Sequence, residues 1–168
     1  MQTILLLLIE NIITNNNDLV LMAIKQRAKF EGWLKFELAH QLKMNYSNTM
    51  VEYHLGNGKH ADIFSNNSLI ELKTTNTNYK IQGVKAKTRP ITKNINDIII
   101  DIEKLRVLNQ PGYIAFVMFP IDSLKYNTHI KKVEAKIPPN KGWEQKKIIK
   151  IKDGNNYIDV LIFVSRVK

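Results

Sequence analysis

Apolar and polar residues along this chain follow two periods, and each change of period marks an element. The opening run, MQTILLLLIENII, is too short to span a bilayer and lacks the basic start and small-residue cleavage site of a secretory leader. A buried first helix over 1–14 is the expectation. Asn15, Asn16, Asn17 and Asp18 interrupt it and offer caps for the next helix. From about Asp18 to Lys43 the period is helical, with Val20, Ile24, Leu34, Leu38 and Leu42 on one side at about 100° per residue. In NTMVEYHL, Val51, Tyr53 and Leu55 alternate with other residues, as in a half-buried strand. GNGK (56–59) is a turn, HADIFS a second strand, SNNS (65–68) another turn and SLIELKT a third strand, which together predict an antiparallel meander. Residues 74–93 are polar and basic, with little periodicity. Asn94 or Asn96 caps a helix running to about Asn109, whose buried stripe is Ile98, Ile99, Ile102 and Leu105, and Pro111-Gly112 stops it. GYIAFVMFPI (112–121) is nearly continuous apolar sequence, as in a central strand buried on both faces. A loop over 122–128 and a closing hairpin over 144–166, turning at DGNN, complete the chain. The order predicts an α/β fold, one domain over 1–168, with a core at about 18–121 and the hairpin as an addition.

Composition narrows the chemistry. A chain of 168 residues, 44% hydrophobic, suits one domain with a substantial core. It has no cysteine, which excludes disulfides, cysteine-ligated zinc and thiol nucleophiles and agrees with a reducing, cytoplasmic interior. The net charge of +10 is uneven. Residues 1–72 carry 6 Lys/Arg against 7 Asp/Glu, net −1, and residues 73–168 carry 19 against 8, net +11. A basic surface of this kind expects a polyanionic partner, and the short apolar run at the start leaves a membrane outside the expected partners.

The few acids matter because of where they fall. If Asn66-Asn67 are the two turn residues of HADIFSNNSLIELKT, Ser65 pairs with Ser68 and Asp62 falls opposite Glu71. Both then share a sheet face with Lys73. Facing carboxylates repel by roughly 0.2–1 kcal/mol, and a divalent cation between them would compensate. A slip of one residue would put them on opposite faces. On a single wheel for the preceding helix, with Leu34 as origin, Leu38 and Val20 lie at about 40°, Ile24 and Leu42 near about 80°, and Glu31 at about 60°. Glu37 lies at about 300°, toward the edge beside Trp33 and His40. Glu31, and not Glu37, is therefore the helix acid expected at the site.

The spacing Glu31 … Asp62 … Glu71-Leu72-Lys73 resembles the PD-(D/E)XK phosphodiesterase superfamily, the restriction-endonuclease-like nucleases. EGWLKFELAHQL is similar to the first helix of that core and GKHADIFSNNSLIELK to its central hairpin, and the likeness spans roughly residues 20–120. Ala61 and His60 stand where the Pro of the family's name would. The resemblance implies a restriction-endonuclease-like core and a Mg²⁺-dependent DNA endonuclease, with Mn²⁺ as a substitute ion. Asp62, Glu71 and the Leu72 carbonyl would ligate the metal. Glu31 would hold the attacking water or a second ion. Lys73 would orient or help deprotonate the water, or offset charge on the phosphorane. Restriction-type cutting of double-stranded DNA would favour a homodimer. The chain is short for a sequence-specific enzyme, which leaves a structure-selective junction or repair nuclease open, and a non-catalytic nucleic-acid-binding protein on the same fold is the third reading.

KTTNTNYKIQGVKAKTRPITK, residues 73–93, holds six basic and no acidic residues and directly follows the motif. Lys85, Lys87, Arg89 and Lys93 are the candidate phosphate contacts, and Asn76 a candidate for base or sugar contact. The lysines of the closing hairpin, Lys146, Lys147, Lys150 and Lys152, fit an ordinary protected edge strand better than a second binding surface. The four histidines show no ligand spacing, although His60, two residues before Asp62, could reach the site.

Overall fold

The computed structural model describes residues 1–82, 84, 91–122, 125–139 and 144–168. The helices are α1 (Gln2–Asn15), α2 (Asn17–Lys25), α3 (Glu31–Lys43), α4 (Ile91–Arg106) and α5 (Asn127–Glu134). The strands are β1 (Met50–Gly56), β2 (Lys59–Ser65), β3 (Ser68–Asn76), β4 (Gly112–Phe119), β5 (Glu144–Asp153) and β6 (Asn156–Arg166). The strands form one open mixed sheet in the order β1-β2-β3-β4-β6-β5. Only β3 and β4 run parallel among the described pairs, and α4 is the crossover that a parallel pair requires.

The period-two alternation of the strands divides the core into two layers. Ile70, Leu72, Ala115, Val117 and Phe119 face α1, α2 and α3. Leu69, Ile114, Phe116, Met118 and Phe163 face α4 and α5. β4 is buried at every position, as expected of the central strand. No single helix among the described residues is long and apolar enough to cross a membrane. α1 and α2 together reach that length but bend by 83°. The apolar face of α1, with Leu5, Ile9 and Ile13, packs into the core.

Five elements differ from the sequence reading. α4 begins at Ile91 and ends at Arg106, so Asn94 and Asn96 lie within it and neither is its cap. The single helix expected over Asp18–Lys43 is two helices, because the chain turns at Arg27, which has φ 53. The Arg27 guanidinium is buried and donates to the carbonyls of Thr77 and Tyr79, both at 2.8 Å, so a tertiary contact holds the break. Val20 and Ile24 are buried as expected but do not share a wheel with Leu34, Leu38 and Leu42. Residues 74–76, read as the start of an aperiodic segment, continue β3 and pair with β4 as far as Asn76↔Phe119. Their β-branched threonines suit a strand. The loop expected over 122–128 is cut short at Asn127 by α5, a helix absent from the sequence reading, whose short stripe of Ile130 and Val133 packs with the α4 layer. Finally, the closing hairpin is not an appendage. β6 pairs with β4 from Tyr113↔Arg166 to Met118↔Leu161 and is an interior strand, while β5 is the edge.

Candidate functional site

The β2–β3 hairpin turns on Asn66 (φ 48) and Asn67 (φ 54). Both are in the left-handed region that a two-residue turn of this kind needs, and Asn tolerates it. The register is Ser65↔Ser68, Phe64↔Leu69 and Ile63↔Ile70, as counted from sequence. One step further brings Asp62 to the level of Glu71, and there the ladder ends. β3 goes on alone toward β4, so its amides on the β2 side need other acceptors. Asp62 Oδ2 accepts from the Leu72 N–H at 2.8 Å, and Glu31 Oε2 accepts from the Thr74 N–H at 2.9 Å. Two carboxylates from different elements thus line the opening between the strands.

α3 delivers Glu31 as its first residue, not from mid-stripe, and an acid is favoured at that end of a helix. One turn on, Lys35 lies 3.5 Å from Asp62 and pairs with Glu52 as well. Glu52 stands on β1 between the pairs Val51↔Ile63 and Tyr53↔Ala61, across from Asp62, with φ 50. From the other face, α4 sends Asp101 to Lys73 (3.1 Å) and Lys104 to Glu71 (2.5 Å). Lys73 also lies 3.7 Å from Glu31. Among the described residues the cluster holds five carboxylates and three ammonium groups, a formal excess of two negative charges in a chain of net +10.

Burial dominates the electrostatics of Glu71, which is only 3% exposed. Desolvation pushes its carboxyl up to about 8; the Lys104 ammonium opposes the shift, and Asp62 and Asp101 add to it. For Lys73 burial works the other way, but Asp101, Glu31 and Asp62 outweigh it and hold the amine well above its ordinary value. Lys35 is likewise raised, with burial opposed by Glu52 and Asp62.

The structure therefore brings together Asp62, Glu71, Lys73 and Glu31. Leu72 lies among them with its N–H on Asp62, and since the N–H and C=O of one residue leave a strand by the same edge, its carbonyl turns to the same opening. Lys93 is exposed on the first turn of α4. Asn76 ends β3 with its amide nitrogen buried and its carbonyl accepting from Asn94 at 3.1 Å. Lys85, Lys87 and Arg89 lie outside the described residues. The His60 ring packs edge-on against His54, 4.8 Å between centroids, with its Nδ1 3.4 Å from the Glu52 carbonyl oxygen, and its own backbone carbonyl accepts from Lys104 at 2.6 Å. Glu37 lies apart, beside α1 residues Leu8 and Asn11. On β5, Lys146 pairs with Glu134 and Glu144 and Lys147 with Glu10, in keeping with the edge-strand reading.

Sequence reasoning missed Lys35, Glu52, Asp101 and Lys104. Lys35 carried a signal, since it follows Glu31 by four residues and must share its helix face. Asp101 and Lys104 border the apolar stripe of α4, but nothing local says which strand residues they meet.

The donors suit a hard divalent cation: they are oxygen atoms, negative charge is in excess, and one carboxylate is withdrawn from water. Asp62 and Glu71, with the Leu72 carbonyl, could hold it. Among the described residues, however, no group of three or more His, Cys, Asp or Glu is gathered closely enough to ligate a metal, because the acids are spread over several elements and turn toward lysines or amides. No family model, curated protein or solved structure matches this chain.

Proposed function

We propose that this chain is a Mg²⁺-dependent endonuclease of the PD-(D/E)XK, restriction-endonuclease-like kind, acting on double-stranded DNA. One observation carries the reading: Asp62, Glu71, Lys73 and Glu31 converge where β2 parts from β3. In this reading Asp62, Glu71 and the Leu72 carbonyl would hold Mg²⁺, or Mn²⁺ in its place. Such a site would supply polarisation of the scissile phosphate and a lowered pKa for the attacking water. The chain's own groups do the rest. The carboxylates around Lys73 keep its amine protonated, which suits it to stabilise charge on the phosphorane and not to take the proton from water. Glu31 Oε1, the oxygen nearest Lys73, orients the water. The basic run after β3, with Lys85, Lys87, Arg89 and Lys93, draws the DNA backbone to the opening. Cutting both strands with one such site per chain calls for two copies related by a two-fold axis.

A second reading is a non-catalytic nucleic-acid-binding protein on the same scaffold. It is favoured by the lysines that already neutralise Glu71 and Asp62. The test is incubation with plasmid, single-stranded, branched and RNA substrates, in Mg²⁺ or EDTA, for the wild type and for Asp62→Ala and Lys73→Ala. The proposal expects discrete plasmid fragments in Mg²⁺ alone, lost in both variants while DNA binding persists. Cutting confined to branched DNA would make the enzyme structure-selective. Tight binding with no cutting of any substrate would establish the second reading.

A further inference from the structure

Lys104 is the one cation that reaches Glu71 among the described residues. It comes from the far side of the opening, off α4, and its side chain is 24% exposed while Glu71 is sealed beneath it. Its ammonium ends between two partners on different strands, Glu71 Oε1 of β3 at 2.5 Å and the His60 carbonyl of β2 at 2.6 Å. It therefore bridges the strands beside their divergence, next to the proposed oxygen donors. Asp101, three residues earlier on α4, pairs with Lys73 instead, so each charge of β3 meets its opposite from the same helix. Two features separate this pair from a structural salt bridge. Its acid belongs to a group that keeps a formal excess of negative charge among the described residues even with Lys104 counted, which favours a further cation there. And a lysine is a flexible, strongly hydrated point charge, able to leave toward solvent where a fixed arginine fork would not.

We infer that Lys104 is a displaceable counter-cation of the metal site. It occupies the Glu71 carboxyl oxygen when no divalent ion is bound, and gives up that oxygen when one binds. The inference rests on the metal-dependent function proposed for the site and assigns Lys104 a positioning role, since it acts through Glu71. A metal at Asp62 and Glu71 must compete with this ammonium, so removing the ammonium should tighten metal binding. A lysine that merely held the fold together would, when removed, leave metal affinity unchanged or weaken it.

The probe is Mn²⁺ alone, titrated by calorimetry and electron paramagnetic resonance into the full chain without DNA. Wild type, Lys104→Gln, Lys104→Arg and Glu71→Gln are compared. Lys104→Gln should bind Mn²⁺ about tenfold more tightly than wild type, which corresponds to about 1.4 kcal/mol. Lys104→Arg, which keeps the charge, should bind no more tightly than wild type, and Glu71→Gln should lose binding. If Lys104→Gln folds poorly without metal, its melting temperature should rise more with Mn²⁺ than that of wild type. Affinity in Lys104→Gln equal to or below wild type, or a fold that Mn²⁺ does not recover, overturns the inference. If Glu71→Gln still loses binding in that case, the metal site stands without it. If wild type binds no Mn²⁺ at all, the inference and the metal-dependent function fall together.

Discussion

Glu71 sits nearly out of water beside two other carboxylates, and its protonation should be visible in the stability of the whole chain. Its ordinary value is 4.5 and its value in the fold is about 8, so between those pH values the folded protein binds the extra proton. The stabilisation is complete below about pH 4.5 and is lost as pH rises through about 8. Wild type should therefore lose on the order of a few kcal/mol relative to Glu71→Gln across that window, as read by urea unfolding at a series of pH values in EDTA. Parallel pH profiles for the two proteins would contradict this. At this scale Asp62, Glu71 and Lys73 were legible in sequence because a two-residue turn makes register a matter of counting. Glu31 was found on a faulty premise: it opens α3 rather than sitting in an apolar stripe, and its partners are the Thr74 amide and Lys73. Lys104 and Asp101 could not be placed, because their meeting with β3 depends on how α4 crosses the sheet.

The elements that aim these residues are short, and two of them depend on backbone that favours few residue types. The β2–β3 turn needs left-handed φ at Asn66 and Asn67, which costs a β-branched residue about 1–2 kcal/mol. Asn67→Val should lower stability by about that amount in urea unfolding, and Asn67→Gly should leave it unchanged or raise it. Equal stability of all three proteins would mean that the turn does not set the register. The split between α2 and α3 is the other such place. Apolar spacing carried through it unbroken, and only the burial of Arg27 against the Thr77 and Tyr79 carbonyls, some fifty residues away in sequence, shows why the helix stops. The same limit applies to α5, where two buried positions give too little periodicity to announce a helix. By contrast the meander, β4 and the hairpin strands were legible, because strand alternation and continuous apolar runs are local signals.

Over the whole molecule, charge is sorted by place. Acids gather at the opening, and lysines dominate the chain beyond residue 72. If Lys85, Lys87, Arg89 and Lys93 contact phosphates, binding to double-stranded DNA in EDTA should weaken with salt. A plot of log affinity against log salt should then have a slope of about −3 to −4 per copy of the chain. A slope near zero would mean that these four residues leave the phosphate backbone untouched. Sequence placed the hairpin outside the core because it comes after the central strand, but β6 is an interior strand between β4 and the edge strand β5, an arrangement that only long-range pairing decides. The central claim is that the carboxylates beside the β2–β3 opening hold a catalytic divalent ion. Its most direct measurement is the rate of plasmid cleavage by wild type and Glu71→Gln across a Mg²⁺ titration. Cleavage should rise with Mg²⁺ in the wild type and fall by roughly a thousandfold or more in the variant, the scale at which removing a main source of transition-state stabilisation shows. Cleavage independent of Mg²⁺, or equally fast in Glu71→Gln, would contradict it.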